Sequence, residues 1–339
     1  FHLVFVQVVA WCLARASTSL ADQAVDTDIE PVKGDAAAIR KHFADYFKPL
    51  TVPKLESEAD RQRADLGRWL FFERTLSADG TISCNDCHDL SRYGTNGDAA
   101  IKLRKAGTLR RDVPSVYNIA ELKLMGWAGE KSDLRAYTAK ALTDAEHMGK
   151  SDGDALAKRL QDSPPYRERF KQAFGDERIT FDRIVDALTA FEKGLVTPGP
   201  FDAFLNGDDK ALDADQLKGA RLFSTKNCGA CHTGPAIGGQ MHQKAGIVRP
   251  WPNLADTGYY EISRNPGHKW MFRVPPLRNV AETGPYFHDH SARSLGLAVY
   301  LITLHEQDMY LSQDEIRYLE AFLKSFTGKL PSDYIKQPN

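Results

Sequence analysis

The chain has 339 residues, with 44 lysines and arginines against 45 aspartates and glutamates and a net charge of −1. That length has room for two domains with separate cores, and the balanced charge, with no long basic or acidic run, excludes a nucleic-acid or membrane-surface binder. With 42% hydrophobic residues, the composition is that of a soluble globular protein.

Residues 1–21 stand apart. Leu3 to Trp11 are mostly apolar, small residues follow, and Ser19-Leu20-Ala21 fits a cleavage site. The stretch is too short to span a membrane and reads as an export signal without its basic start. Its removal takes Cys12 and leaves four of the five cysteines.

Gly67-Arg68-Trp69-Leu70-Phe71 closes a helical stretch and leads into Cys84-Asn85-Asp86-Cys87-His88. Two thiols at this spacing can form thioethers to two vinyl groups, and the next imidazole can reach an iron, which is what a covalently attached c-type haem requires. Thr180 can cap an amphipathic helix with Ile184, Leu188, Phe191 and Leu195 on one stripe. Thr197-Pro198-Gly199-Pro200 then breaks the chain.

The pattern repeats beyond the break. Gly219-Ala220-Arg221-Leu222-Phe223 precedes Cys228-Gly229-Ala230-Cys231-His232. In each copy the Leu-Phe pair is expected against the porphyrin. Gly- and Pro-rich loops occupy residues 234–258, and Ser312 with Glu315 forms a capping box that opens Ile316, Leu319, Phe322 and Leu323, with Gly328 as the stop. No strand-rich block is evident. The expected fold is mainly α, with two cytochrome c-like domains, residues 22–199 and 200–339, each carrying one covalent c-type haem. A split zinc site is the rival, since paired Cys-X-X-Cys knuckles also build zinc ribbons. These knuckles are more than a small domain apart, and zinc gives no reason for a His after each pair. Haem attachment of this kind takes place outside the bacterial cytoplasm, so the periplasm is expected.

On these motifs the chain resembles the bacterial dihaem cytochrome c peroxidases and their MauG-type relatives, from about Ala36 to Pro331. Leu70-Phe71-Phe72, Val113-Pro114-Ser115-Val116-Tyr117-Asn118, residues 198–210, Val274-Pro275-Pro276-Leu277-Arg278-Asn279-Val280 and Thr283-Gly284-Pro285-Tyr286-Phe287-His288-Asp289 carry the likeness. It implies that the N-terminal haem reacts with hydrogen peroxide, that the C-terminal haem feeds it electrons, and that one calcium ion lies between the domains. It makes Cys84, Cys87, Cys228 and Cys231 the anchors, His88 and His232 the proximal ligands, and Trp127 the indole between the haems. Asp112 falls where the family has an Asn calcium ligand, Thr283 and Pro285 match positions that give that ion backbone oxygens, and His288 matches a histidine near the second haem.

Three departures matter. Residues 89–113 contain no His, whereas the peroxidases carry a blocking loop histidine there. The first iron is therefore expected to be five-coordinate and open, as in MauG-type enzymes. At the family's acid–base Glu stands His147, with Glu146 beside it, while the neighbouring Gln and Pro become Tyr137 and Ala141. Either His147 or Glu146 is expected to move the peroxide proton. On the far side of the second iron, where peroxidases have Met and MauG-type enzymes Tyr, an ungapped count gives Ile302, which cannot ligate. His305 is the first substitute, Tyr300 the second, and an open site the third.

The expected activity is periplasmic reduction of hydrogen peroxide with electrons from a small cytochrome c or cupredoxin. The alternatives are MauG-like oxidation of Trp or Tyr side chains in a partner protein, and a dihaem electron carrier without substrate chemistry. No nucleic acid partner and no membrane span after processing are expected, and the chain is a monomer or a homodimer.

Overall fold

Two helix pairs, one from each copy of the repeat, organise the fold. The computed structural model describes residues 36–97, 111–145, 147–149 and 152–338, so the expected export signal, Cys12 and Glu146 lie outside the described residues. In chain order the helices are α1 (Ala36–Phe43), α2 (Glu58–Phe71), α3 (Cys84–Cys87), α4 (Leu134–Thr143), α5 (Gly153–Gln161), α6 (Pro164–Phe174), α7 (Phe181–Lys193), α8 (Pro200–Leu205), α9 (Ala214–Thr225), α10 (Tyr260–Ser263), α11 (Leu295–Gln307) and α12 (Gln313–Lys324). The fold is mainly α. A two-stranded antiparallel ribbon, β1 (His242–Lys244) and β2 (Met271–Arg273), pairs His242 with Arg273; it is too short to leave a period-two pattern in the sequence. No helix among the described residues is long and apolar enough to cross a membrane.

The helix starts follow their capping residues. Thr180 accepts the Arg183 N–H at the head of α7, and Ser312 and Glu315 exchange hydrogen bonds at the head of α12. Pro200 does more than break the chain, because it occupies the first turn of α8, where a missing N–H costs nothing.

The repeated Gly of Gly-X-X-Leu-Phe has a role of its own. α2 packs on α7 and α9 packs on α12. A Cβ on Gly67 would overlap the Ala187 carbonyl and lie 2.7 Å from Phe191 Cβ; a Cβ on Gly219 would overlap the Tyr318 carbonyl and lie 2.7 Å from Phe322 Cβ. Each glycine thus lets two helix backbones touch. In the first Leu-Phe pair, Phe71 reaches the wall of the cavity described below, whereas Leu70 turns into a core with Leu66, Ile184, Leu188 and Phe191. A second core brings Phe43 and Phe47, from α1 and the turn after it, against Phe201, Phe322 and Phe326, with Phe322 and Phe326 at 4.7 Å between centroids.

A seam joins the repeats. Asn118 and Asn279 both adopt left-handed backbone, with φ of 58° and 60°. Both donate from Nδ2 to the same Thr197 hydroxyl, at 3.0 and 2.8 Å. In return Asn118 Oδ1 accepts the Thr197 N–H and Asn279 Oδ1 accepts the Gly328 N–H. Here the expectation for Gly328 is corrected. α12 ends at Lys324, and Gly328 is needed because a Cβ there would overlap the Thr197 carbonyl. Beside the seam, Arg278 pairs with Asp202 at 2.7 Å, with 1% and 4% of the side chains exposed.

Candidate active site

Each Cys-X-X-Cys-His string is wound into one tight turn. α3 is opened by Asp86, whose carboxylate accepts both the N–H and the hydroxyl of Ser83, and His88 leaves the helix as its cap. The second string forms a 3₁₀ turn, Cys228–Ala230, and the next turn of backbone brings in His232. His88 donates from Nδ1 to the Gly94 carbonyl at 3.2 Å, and His232 donates from Nδ1 to the Ile237 carbonyl at 3.4 Å. The backbone of Pro114 faces His88 as that of Pro275 faces His232, so the two Val-Pro segments serve equivalent places. With Nδ1 committed to a carbonyl, the tautomer is set and Nε2 is left to bind a metal. Burial pushes both imidazoles down to about 4, which keeps them neutral and able to ligate.

Above the first string lies a cavity lined by Cys84, Cys87, His88, Trp127, Tyr137 and His147 among others. The donor set fits a haem: two unbridged cysteines on one wall, and one neutral imidazole with a committed Nδ1. Zinc fits poorly. It takes four converging ligands with ionised thiols. Among the described residues no three His, Cys, Asp or Glu side chains converge on one point, and burial pushes the Cys84 thiol far up and that of Cys228 to about 11.

Opposite the motif, α4 and the turn after it carry the polar side of the cavity. His147 is near enough to His88 for its charge to be felt there. Its Nδ1 is buried without a hydrogen-bond partner, 3.5 Å from the Asp144 carboxylate, and its ring stands edge-on to Tyr137 at 6.2 Å. Burial, and then the Lys140 ammonium, hold its pKa below the usual imidazole value. Lys140 pairs with Glu130 and lies 3.4 Å from Asp144. Glu192 also faces the cavity. Burial raises it to about 7, although Thr138 donates to it at 2.7 Å. Neither Glu192 nor Arg273, which lines the same wall, stands in a motif, so sequence alone gives them no role.

Trp127 is held at both ends. Its indole N–H donates to the Asp112 carbonyl at 2.8 Å, and its own carbonyl accepts the Arg273 N–H at 2.9 Å. The His288 ring stands 6.2 Å away, stacked on Phe272, with its Nε2 buried and without a partner. Asp112 sits at the centre of this group. Its N–H donates to the His288 carbonyl, and its carboxylate meets His290 at 2.7 Å, with 8% and 9% of the two side chains exposed. Sequence reading assigned His290 nothing, and the nearby Pro-Tyr-Phe-His signature was the available signal.

The remaining expected residues lie elsewhere. The Thr283 hydroxyl donates to the Val280 carbonyl, and Pro285 packs beside Gly97. His305 is buried on α11, with Nδ1 on the Arg249 carbonyl at 3.1 Å and Trp251 at 5.0 Å between ring centroids. It therefore shares the committed-Nδ1 arrangement of His88 and His232. Tyr300 and Ile302 lie on the same helix, both half-buried.

Comparison with known proteins places this geometry in context. A family model described as di-haem cytochrome c peroxidase matches residues 61–210. The cytochrome c551 peroxidase of Nitrosomonas europaea is 37% identical over 286 residues, covering 84% of this chain and 85% of its own. The methylamine utilization protein MauG of Methylophilus methylotrophus is 32% identical, covering 84% of this chain and 88% of its own. Among solved structures, a MauG-like protein associated with microbial copper homeostasis superposes with a TM-score of 0.70 at 25% identity, over 86% of this chain and 96% of that one.

Proposed function

Since the chain belongs to the di-haem cytochrome c peroxidase family, a family of haem-dependent oxidoreductases, we propose that it reduces hydrogen peroxide in the periplasm at the first of two c-type haems, with electrons relayed by the second. The observation that carries this reading is the cavity itself, with His88 on one wall and a half-buried His147 facing it. Reduction of one peroxide to two waters takes up two electrons and two protons. The porphyrin iron, when bound, would supply the electron exchange.

The side chains supply the rest. Cys84 and Cys87 anchor the first porphyrin, and Cys228 and Cys231 the second; His88 and His232 hold the irons. His147 accepts a proton from the near oxygen of peroxide at Nε2 or Nδ1 and returns it to the leaving oxygen. Trp127 offers a fixed π system between the halves, and Lys140, Glu130 and Asp144 hold the field around His147. On this reading residues 22–199 and 200–339 are the two haem domains, His288 and His305 serve the second haem, with Tyr300 as the other candidate ligand, and a calcium ion uses Asp112 with the backbone of Thr283 and Pro285.

A second reading is favoured by one feature of the sequence. The absence of His from residues 89–113 leaves no counterpart to the peroxidases' blocking ligand, as in MauG-type enzymes that oxidise Trp or Tyr of a partner protein. Steady-state turnover separates the two. Rapid peroxide reduction with a reduced cytochrome c or cupredoxin supports the first reading; negligible turnover with a long-lived doubly oxidised protein supports the second. If the ferric protein shows only low-spin haem and peroxide leaves its spectrum unchanged, both fail and an electron carrier remains.

A further inference from the structure

Arg273 is the last residue of β2 and is 3% exposed, yet its side chain faces the first cavity. Its Nε is buried without a hydrogen-bond partner. Among the described residues no carboxylate pairs with it, and the Tyr137 phenol is the one ionisable group whose field it feels. The acids that line the cavity are engaged elsewhere: Glu130 with Lys140, Asp112 with His290, and Glu192 with the Thr138 hydroxyl at 2.7 Å. Burial pulls Arg273 down to about 10, still above neutrality, so it carries its charge under working conditions. A buried cation without a counter-charge is costly, and folded proteins pair such groups. An anion is therefore missing from the described side chains.

A c-type porphyrin brings two propionate carboxylates, and a guanidinium matches a carboxylate with two parallel N–H donors. Resting on the haem reading above, we infer that Arg273 binds a propionate of the porphyrin anchored at Cys84 and Cys87, and thereby sets that porphyrin's edge against Trp127 and its potential. The second part follows from position and charge. The Arg273 N–H holds the Trp127 carbonyl, so guanidinium and indole share one wall. A fixed positive charge beside an iron favours its reduced form, and the effect is strong where water is excluded.

The test uses the full haem-loaded chain with Arg273→Gln and Arg273→Lys. A pyridine haemochrome assay comes first, since absence of haem from the wild type defeats the underlying reading and not this one. With both haems present, Arg273→Gln is expected to lower the ferrous-to-ferric ratio of the first haem at fixed poise by about tenfold, a fall of about 59 mV for one electron, leaving the second haem unmoved. Arg273→Lys keeps the charge and loses the fork, so its potential should stay near wild type while the propionate bending band in resonance Raman shifts. The inference is overturned by an unchanged first-haem potential in the Gln variant. If that variant does not fold, an unshifted propionate band in the Lys variant overturns it. A wild-type potential that moves with added acetate would also sink it, because the counter-charge would then be a free anion.

Discussion

His147 is suited to act as a base by the half-buried place of its ring and by the charges beside it. Its Nδ1 has no hydrogen-bond partner, and desolvation holds the ring's pKa below the usual imidazole value. The pH dependence follows with a definite sign. An exposed imidazole would begin to protonate near 6.5, but a depressed pKa preserves the proton-accepting form below that. The rate of the peroxide reaction should therefore be flat from neutrality through about 6.5 and fall only in more acid solution, which a stopped-flow pH profile reads directly. His147→Ala should slow that reaction by about two to four orders of magnitude; an unchanged rate would move the role to Glu146. His88→Ala should abolish peroxide reactivity, and activity surviving it would shift the reactive iron to the second site. Trp127→Phe removes one hydrogen bond, to the Asp112 carbonyl, and should leave peroxide binding intact while uncoupling the haems. Equal yields of the doubly oxidised protein in both forms would take the indole out of the path. Cys, His and Trp were legible at this scale because motifs name them. Arg273, Glu192 and His290 were not, since their roles arise from burial and from neighbours distant in the chain.

At the scale of elements, what could be read in advance was what local chemistry fixes. Ser312 and Glu315 announce α12, and Thr180 announces α7, because a capping hydrogen bond is formed within three residues. The crossing of α2 on α7 was hidden, because Gly67 and Ala187 meet only after the chain has folded. The repeat itself was visible, but its reason was not: the glycine is there for a helix backbone, and only one member of the Leu-Phe pair reaches the cavity. Gly67→Ala should force α2 from α7 and destabilise the protein by about 1–3 kcal/mol, as overpacking does, with the same penalty for Gly219→Ala at the α9–α12 crossing. Denaturant unfolding of both variants measures it, and a midpoint unchanged from wild type would show that the helices have room to spare.

At the scale of the whole molecule, the Thr197 hydroxyl is the one acceptor shared by Asn118 and Asn279. Thr197→Val keeps the shape and strips both amides of that partner. Each buried donor left unsatisfied costs about 1–3 kcal/mol, so the variant should lose at least about 2 kcal/mol by denaturant unfolding. A smaller loss would mean that water reaches the seam. The repeat was readable from the motifs, whereas this junction was not, because nothing in Leu-Val-Thr-Pro-Gly signals that one hydroxyl will accept from two distant asparagines. Thr197 is also the first residue of the Thr-Pro-Gly-Pro break between the two copies of the repeat. Peptide bond and hydrogen bonds therefore tie the same place twice. A protease that nicked the backbone there would release no fragment, and the two pieces should travel together through a sizing column with both haem motifs still in place.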